Sequence, residues 1–168
     1  MANTFNLISA VTVGSGGAAD ITFTSIPATY TDLCLKLSVR SDQGSVEALT
    51  LNVNGQGVGT NITARFLDSG AGTPRSGTAI VAGIIQGTDY TSSTFSSNEL
   101  YFPNYASGNQ KSISIDYTTE NNAAASYTGF SSLLWAQTAA ITSLGFTRSG
   151  GGNFVQYTTA YLYGVSNA

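Results

Sequence analysis

The side chains able to move protons or hold metals are few, and their types limit the chemistry open to the chain. There are nine carboxylates: Asp20, Asp32, Asp42, Glu47, Asp68, Asp89, Glu99, Asp116 and Glu120. Two carboxyl groups facing one cleft, one of them kept protonated, suffice for glycoside hydrolysis. Glu99 with Asp116 or Glu120 is the candidate pair, although each also reads simply as a solvated strand or turn residue. The chain has no histidine, which removes the usual proton shuttle near neutral pH and the commonest transition-metal ligand. Ser-His-Asp and Cys-His nucleophiles are thereby excluded, and zinc is left with Cys34 and carboxylates. Cys34 has no cluster of cations beside it in the sequence and reads as a semi-buried, inert thiol. Calcium needs several oxygens converging in one loop. Asp89, or Glu120 with Asn121 and Asn122, come nearest, but no spaced acidic ladder accompanies them and they read as turns. Gly55-Gln56-Gly57-Val58-Gly59 imitates a phosphate loop. Such loops lead into a helix whose N-terminus meets the anion, whereas Thr60-Asn61-Ile62 continues as strand-like text. The expectation is a protein without catalytic residues, cofactor or metal, and not an enzyme.

Charge narrows the partners. Only 9% of the 168 residues are charged, against 42% hydrophobic, and the formal net charge is -3. Ser, Thr and Asn make up about a third of the chain, so it is polar without being charged. The six basic residues, Lys36, Arg40, Arg65, Arg75, Lys111 and Arg148, are scattered, which argues against nucleic acid, whose binding needs clustered cations. One cysteine forms no intrachain disulfide, so the fold does not rely on an oxidising compartment. The first residues lack a basic region before an apolar stretch, and no signal peptide is expected. The longest aliphatic run, Ala79 to Ile85, is far short of the ~20 residues that cross a membrane as a helix. Synthesis in a cytoplasm, with no membrane partner, is the expectation. The sequon Asn61-Ile62-Thr63 is then a chance match.

The elements that would position any site are strands. Leu33, Leu35, Leu37 and Val39 share one face, with Asp32, Lys36, Ser38 and Arg40 on the other. Leu49, Leu51 and Val53 alternate with Thr50 and Asn52, and Asn54-Gly55 then signals a tight turn. Ile113, Ile115 and Tyr117 alternate with Ser112, Ser114 and Asp116. Val155, Tyr157, Thr159, Tyr161 and Tyr163 oppose Phe154, Gln156, Ala160 and Leu162. Shorter candidates are Phe5–Val13, Ile21–Ile26, Ile62–Leu67, Ile80–Ile85, Leu100–Phe102, Tyr127–Trp135 and Ile141–Phe146. Ala123 to Ala125 could nucleate at most a turn of helix. About eleven short strands with Gly, Ser, Asn and Pro between them predict one all-β domain over 1–168, an antiparallel two-sheet β-sandwich of jelly-roll type. With so little charge to guard its edge strands, the sandwich is expected to cover them with loops or pair them with another subunit.

Aromatic residues are the candidates for touching a partner. Tyr101, Phe102 and Tyr105 surround Pro103, and one of the first two is expected in the core. Tyr101, Tyr105, Trp135, Tyr157, Tyr161 and Tyr163 are the candidate partner contacts, because tyrosine and tryptophan bring large area at little entropic cost. Trp135 reads as a core or interface anchor, and the Tyr157/Tyr161/Tyr163 face as packed on a second sheet or another subunit.

Several stretches, in this order, resemble small virion proteins of tailed bacteriophages, cyanophages among them. They are Asn3-Thr-Phe-Asn-Leu-Ile-Ser, Val11-Thr-Val-Gly-Ser-Gly-Gly, Ile21-Thr-Phe-Thr-Ser-Ile-Pro and Tyr30-Thr-Asp-Leu-Cys-Leu-Lys-Leu-Ser-Val-Arg. Further along are Pro103-Asn-Tyr, Thr119-Glu-Asn-Asn, Trp135-Ala-Gln-Thr-Ala-Ala-Ile-Thr-Ser-Leu and the closing Gly152-Asn-Phe-Val-Gln-Tyr-Thr-Thr-Ala-Tyr-Leu-Tyr-Gly-Val. The resemblance implies a structural role on the particle: a capsid decoration (cement) protein that binds and stabilises the major capsid protein shell, assembling as a homotrimer. Its alternative is a head or tail fibre module that recognises host surface glycans. Neither brings a catalytic motif, and both place the mature protein in the virion.

Overall fold

Alternation of apolar and hydroxyl-bearing residues governs the chain from end to end, and in the computed structural model it produces strands throughout. The structure describes residues 4–57, 61–69, 75–77, 82–120, 122 and 126–166. In chain order the strands are β1 (Phe5–Thr12), β2 (Ile21–Phe23), β3 (Asp32–Val39), β4 (Glu47–Val53), β5 (Ile62–Asp68), β6 (Arg75–Gly77), β7 (Ile84–Ile85), β8 (Ser96–Phe102), β9 (Lys111–Thr119), β10 (Tyr127–Trp135), β11 (Leu144–Arg148) and β12 (Thr159–Val165). They form an eight-stranded sheet, ordered β1-β12-β3-β8-β9-β10-β5-β6, and a four-stranded sheet, ordered β2-β11-β4-β7. Every ladder within the two sheets is antiparallel.

The connectivity is that of a jelly roll. With β5-β6 and β9-β10 set aside, the chain crosses between sheets at every step except β4 to β7, giving the orders β1-β12-β3-β8 and β2-β11-β4-β7. The two remaining hairpins extend the first of these sheets beyond β8, doubling its width. The expected all-β sandwich is therefore the observed fold.

One continuous core lies between the sheets. The large sheet contributes Leu33, Leu35, Leu37, Val39, Leu100, Phe102, Ile113, Ile115, Leu133, Ala160 and Leu162, and the small sheet Ile21, Phe23, Leu49, Leu51, Val53, Leu144 and Phe146. Asn54 (φ 51°) and Gly55 (φ 73°) make the two-residue turn that their types foretold, with Val53 and Gln56 exchanging both backbone hydrogen bonds. The Asn54 side chain also caps the chain around Ser143: its Oδ1 accepts from the amides of Thr142 (2.8 Å) and Ser143 (3.1 Å), and its Nδ2 donates to the Ala140 carbonyl (2.8 Å). Gly129 is required in β10, since a Cβ there would lie 2.4 Å from the Tyr117 hydroxyl oxygen.

Three of the basic residues are buried, and all three are satisfied mainly by backbone carbonyls. Lys111 (1% exposed) donates from Nζ to Ser107 (2.8 Å), Thr138 (3.2 Å) and Ala139 (2.5 Å) and lies 5.4 Å from the Trp135 ring centroid. Arg40 donates to the carbonyls of Tyr90 (3.0 Å), Thr91 (3.0 Å) and Thr94 (2.8 Å). Arg148 donates to Gly151 and Ala19 and stacks 4.9 Å from the Phe154 ring. Arg40 was expected on the solvent face of β3. It is buried instead because it lies one residue past the strand, where the loop after Gly87 folds over it and supplies acceptors. Desolvation lowers the affinity of both Lys111 and Arg40 for their protons.

Candidate interaction surface

Directly paired residues on neighbouring strands project to the same side of a sheet, so the ladders of the large sheet specify its outer face row by row. The middle row runs Ala10, Tyr161, Lys36, Glu99, Asp116, Phe130 and Leu67 across β1, β12, β3, β8, β9, β10 and β5. One adjoining row is Thr12, Thr159, Ser38, Ser97, Thr118 and Thr128. The row on the other side is Leu7, Tyr163, Cys34, Tyr101, Ser114, Ser132 and Arg65. The face is thus a carpet of hydroxyls crossed by one line of charge. Lys36 and Glu99 form an ion pair at its centre, with side chains 52% and 44% exposed.

The face carries unpartnered apolar surface at both flanks. On one side Phe5 is 51% and Leu7 56% exposed; on the other Phe130 is 63%, Leu67 41% and Leu134 39% exposed. Phe5 meets Tyr163 edge-on at 6.3 Å between ring centroids. Phe130 and Leu67 are cross-strand partners, so their side chains form one patch. Apolar residues that project into water from both ends of a flat sheet are the mark of a surface awaiting a partner.

The chain matches no family model, no curated protein and no solved structure.

Glu99 and Asp116, expected as a carboxylate pair, are direct cross-strand neighbours. They line a depression of about 430 Å³ together with Ser97, Thr118, Thr128 and Phe130. Its floor is the sheet itself; Asp116 is exposed and Glu99 is half-exposed in its ion pair with Lys36. Glu120 is not part of it: its Oε1 accepts from the Asn122 amide at 2.8 Å in an exposed turn. Among the described residues no group of three or more His, Cys, Asp or Glu side chains could hold a metal ion. Val58, Gly59, Asn121 and Ala123 to Ala125 lie outside the described residues.

The six aromatic candidates separate cleanly. Tyr161 and Tyr163 are on the outer face, half-buried. Tyr101 is there too, donating to Asp32 Oδ2 at 2.6 Å, a bond that together with burial pushes its pKa up to about 12. Tyr157 is 68% exposed in a turn with φ 70°, before β12 begins, and does not share the face of Tyr161. Tyr105 and Trp135 are corrections to the surface reading, since both are buried, at 0% and 1% exposure. Tyr105 fills the core beneath the loop after β8 and its hydroxyl donates to the Pro27 carbonyl. Trp135 projects inward from β10 against Lys111, with its Nε1 3.4 Å from Gln56 Oε1.

Sequence reasoning missed Phe5, Leu7, Leu67, Phe130 and Leu134 as contact candidates. The signal was present in β10, where Phe130 and Leu134 alternate with Gly129, Ser131 and Leu133, but the parity alone does not say which set faces in. Cys34 also belongs to the outer row yet is 1% exposed between Tyr163 and Tyr101; burial, with the nearby Glu99 carboxylate, raises its pKa to about 11, in keeping with an inert thiol.

Proposed function

We propose that the protein is a structural subunit of a bacteriophage particle, a decoration protein that binds and braces the shell of the major capsid protein. The observation that carries this reading is the widened jelly roll, whose broad outer face is rich in hydroxyls, with its charge gathered mainly in one row, and exposes apolar residues at both flanks. Jelly rolls recur among viral coat proteins, an analogy of fold that lends support alongside the resemblance noted in the sequence. A hydroxyl-rich sheet offers hydrogen bonds at a wet interface, and association that uses few charges weakens little with salt. The reading includes no catalysis, because the carboxylate pair stands on an open face. The fibre alternative, glycan recognition through aromatic and Asn/Ser-rich loops, loses Tyr105, whose ring is inside the core, and keeps the exposed Tyr157.

The test is to add purified protein to shells assembled from the major capsid protein of the same genome and follow sedimentation and heat disruption. Binding that saturates at a fixed ratio per capsomer and raises the disruption temperature is expected. Shells that neither bind the protein nor gain stability would refute the role.

A further inference from the structure

We infer that the outer face of the eight-stranded sheet is a self-complementary interface for a second copy of this chain, related by a two-fold axis that runs along the strands between β3 and β8. This inference rests on the order of residues across the sheet and not on the particle role; it assigns that face to the second copy, so the shell of the proposed function meets the dimer through another surface.

A two-fold lying in the interface, parallel to the strands, places each strand over the one at the same distance on the far side of the axis. With the axis between β3 and β8, β3 faces β8 of the second copy, β12 faces β9 and β1 faces β10. In the middle row Lys36 then meets Glu99 of the second copy, Tyr161 meets Asp116, and Ala10 lies under Phe130. In the hydroxyl row Thr12 meets Thr128, Thr159 meets Thr118, and Ser38 meets Ser97. Phe5, beyond Leu7 on β1, comes opposite Leu134, beyond Ser132 on β10, so these two exposed apolar side chains cover each other, while Leu67 of β5 lies outside the six-strand overlap.

Several other axes fail on charge or apolar burial. An axis through β8 sets Glu99 on Glu99, and one between β8 and β9 sets Glu99 on Asp116. An axis perpendicular to the strands through the middle row lays each residue of that row on itself, Lys36 on Lys36 included. An axis between β9 and β10 presses Asp116 onto Phe130 and Glu99 onto Leu67. Like charges opposed across an interface, or charges desolvated against apolar side chains, cost affinity.

The area is sufficient. Six overlapping strands at ~4.8 Å spacing and about seven residues at ~3.3 Å each span roughly 29 Å by 23 Å. That is about 1,300 Å² for the two copies together, within the range of stable interfaces. An isologous contact of this kind closes on itself as a dimer. A sheet face shared in this way joins two copies, in contrast to the three-fold assembly expected from the resemblance.

The experiment is light scattering with size-exclusion chromatography on wild type, Lys36→Glu, Glu99→Lys and an equimolar mixture of the two variants. Both positions are on the exposed face, and circular dichroism with thermal melting verifies that each variant is folded. Wild type is expected to run as a dimer. Each variant alone sets two like-charge contacts across the axis and should dissociate about tenfold or more readily. The mixture restores opposite charges at both contacts and should recover dimers close to wild-type affinity. Phe130→Ser should weaken the dimer without rescue by either charge variant. A monomeric or trimeric wild type, or a mixture no tighter than its separate components, would overturn the interface.

Discussion

Replacing Lys111 with methionine tests whether a cation without a carboxylate partner holds this fold together. The ammonium joins the loop after β8 to the loop before β11 through three carbonyls, at 2.8, 3.2 and 2.5 Å. Methionine keeps the stem against Trp135 and removes only the donors. A hydrogen bond from a charged group contributes roughly 1.5–3 kcal/mol where its acceptor is sealed from water. Thr138 and Ala139 are exposed residues, so water replaces part of what is lost there, and about 1 kcal/mol per bond is the better figure. Relief from burying the ammonium returns about 1 kcal/mol, leaving a net loss of about 2 kcal/mol. For a chain of this size that is a fall in Tm of about 4–8 °C. Trp135, the sole tryptophan, lies 5.4 Å from Nζ, so its fluorescence follows both urea and thermal unfolding. A Lys111→Met protein melting at or above the wild-type temperature would refute the reasoning, since the lysine would then be a cost that packing can replace.

Asn54→Ala removes acceptor and donor contacts to Ala140, Thr142 and Ser143 and leaves alanine at a positive φ; a loss of about 2–3 kcal/mol is expected in urea denaturation. Alkaline pH should destabilise the fold in a defined window. Cys34 and Tyr101 have pKa values raised in the folded state, from 9.0 to about 11 and from 10.0 to about 12, so their stabilisation is complete below about pH 9 and is lost as pH rises through 9–12. Thermal melting at successive pH values measures this, and Tyr101→Phe should flatten the upper part of the curve. Gly129→Ala forces a methyl group against the Tyr117 hydroxyl and the Leu67 carbonyl, and should cost about 1–3 kcal/mol by overpacking.

Where one face of a strand is wholly apolar, the fold was legible in the residues. Leu33, Leu35, Leu37 and Val39 announced β3, and Leu49, Leu51 and Val53 with Asn54-Gly55 announced β4 and its turn. Where the inner face holds polar groups the alternation is hidden. β8 starts at Ser96, four residues before the expected Leu100, because Ser96 and Asn98 face inward and accept from the amides of Gln86 (2.8 Å) and Ile84 (3.1 Å). β6 has no apolar pattern in its three residues and is defined only by pairing with β5. The expected strand Ile80–Ile85 is seen at Ile84–Ile85, its first two residues lying outside the described ones. Of the contact surface, the tyrosine row of β12 was readable, but the matching flank was not. Only the long-range order of strands brings Phe130 of β10 and Ala10 of β1 to equal distances from Lys36 and Glu99.

Fastening loops with carbonyls rather than carboxylates has a consequence for where such a protein can survive. A lysine or arginine tied to Asp or Glu lets go when acid neutralises its partner. The acceptors of Arg40, Lys111 and Arg148 named above are amide oxygens that do not titrate in ordinary aqueous media. These particular fastenings remain shut in acidic water, as they do near neutrality.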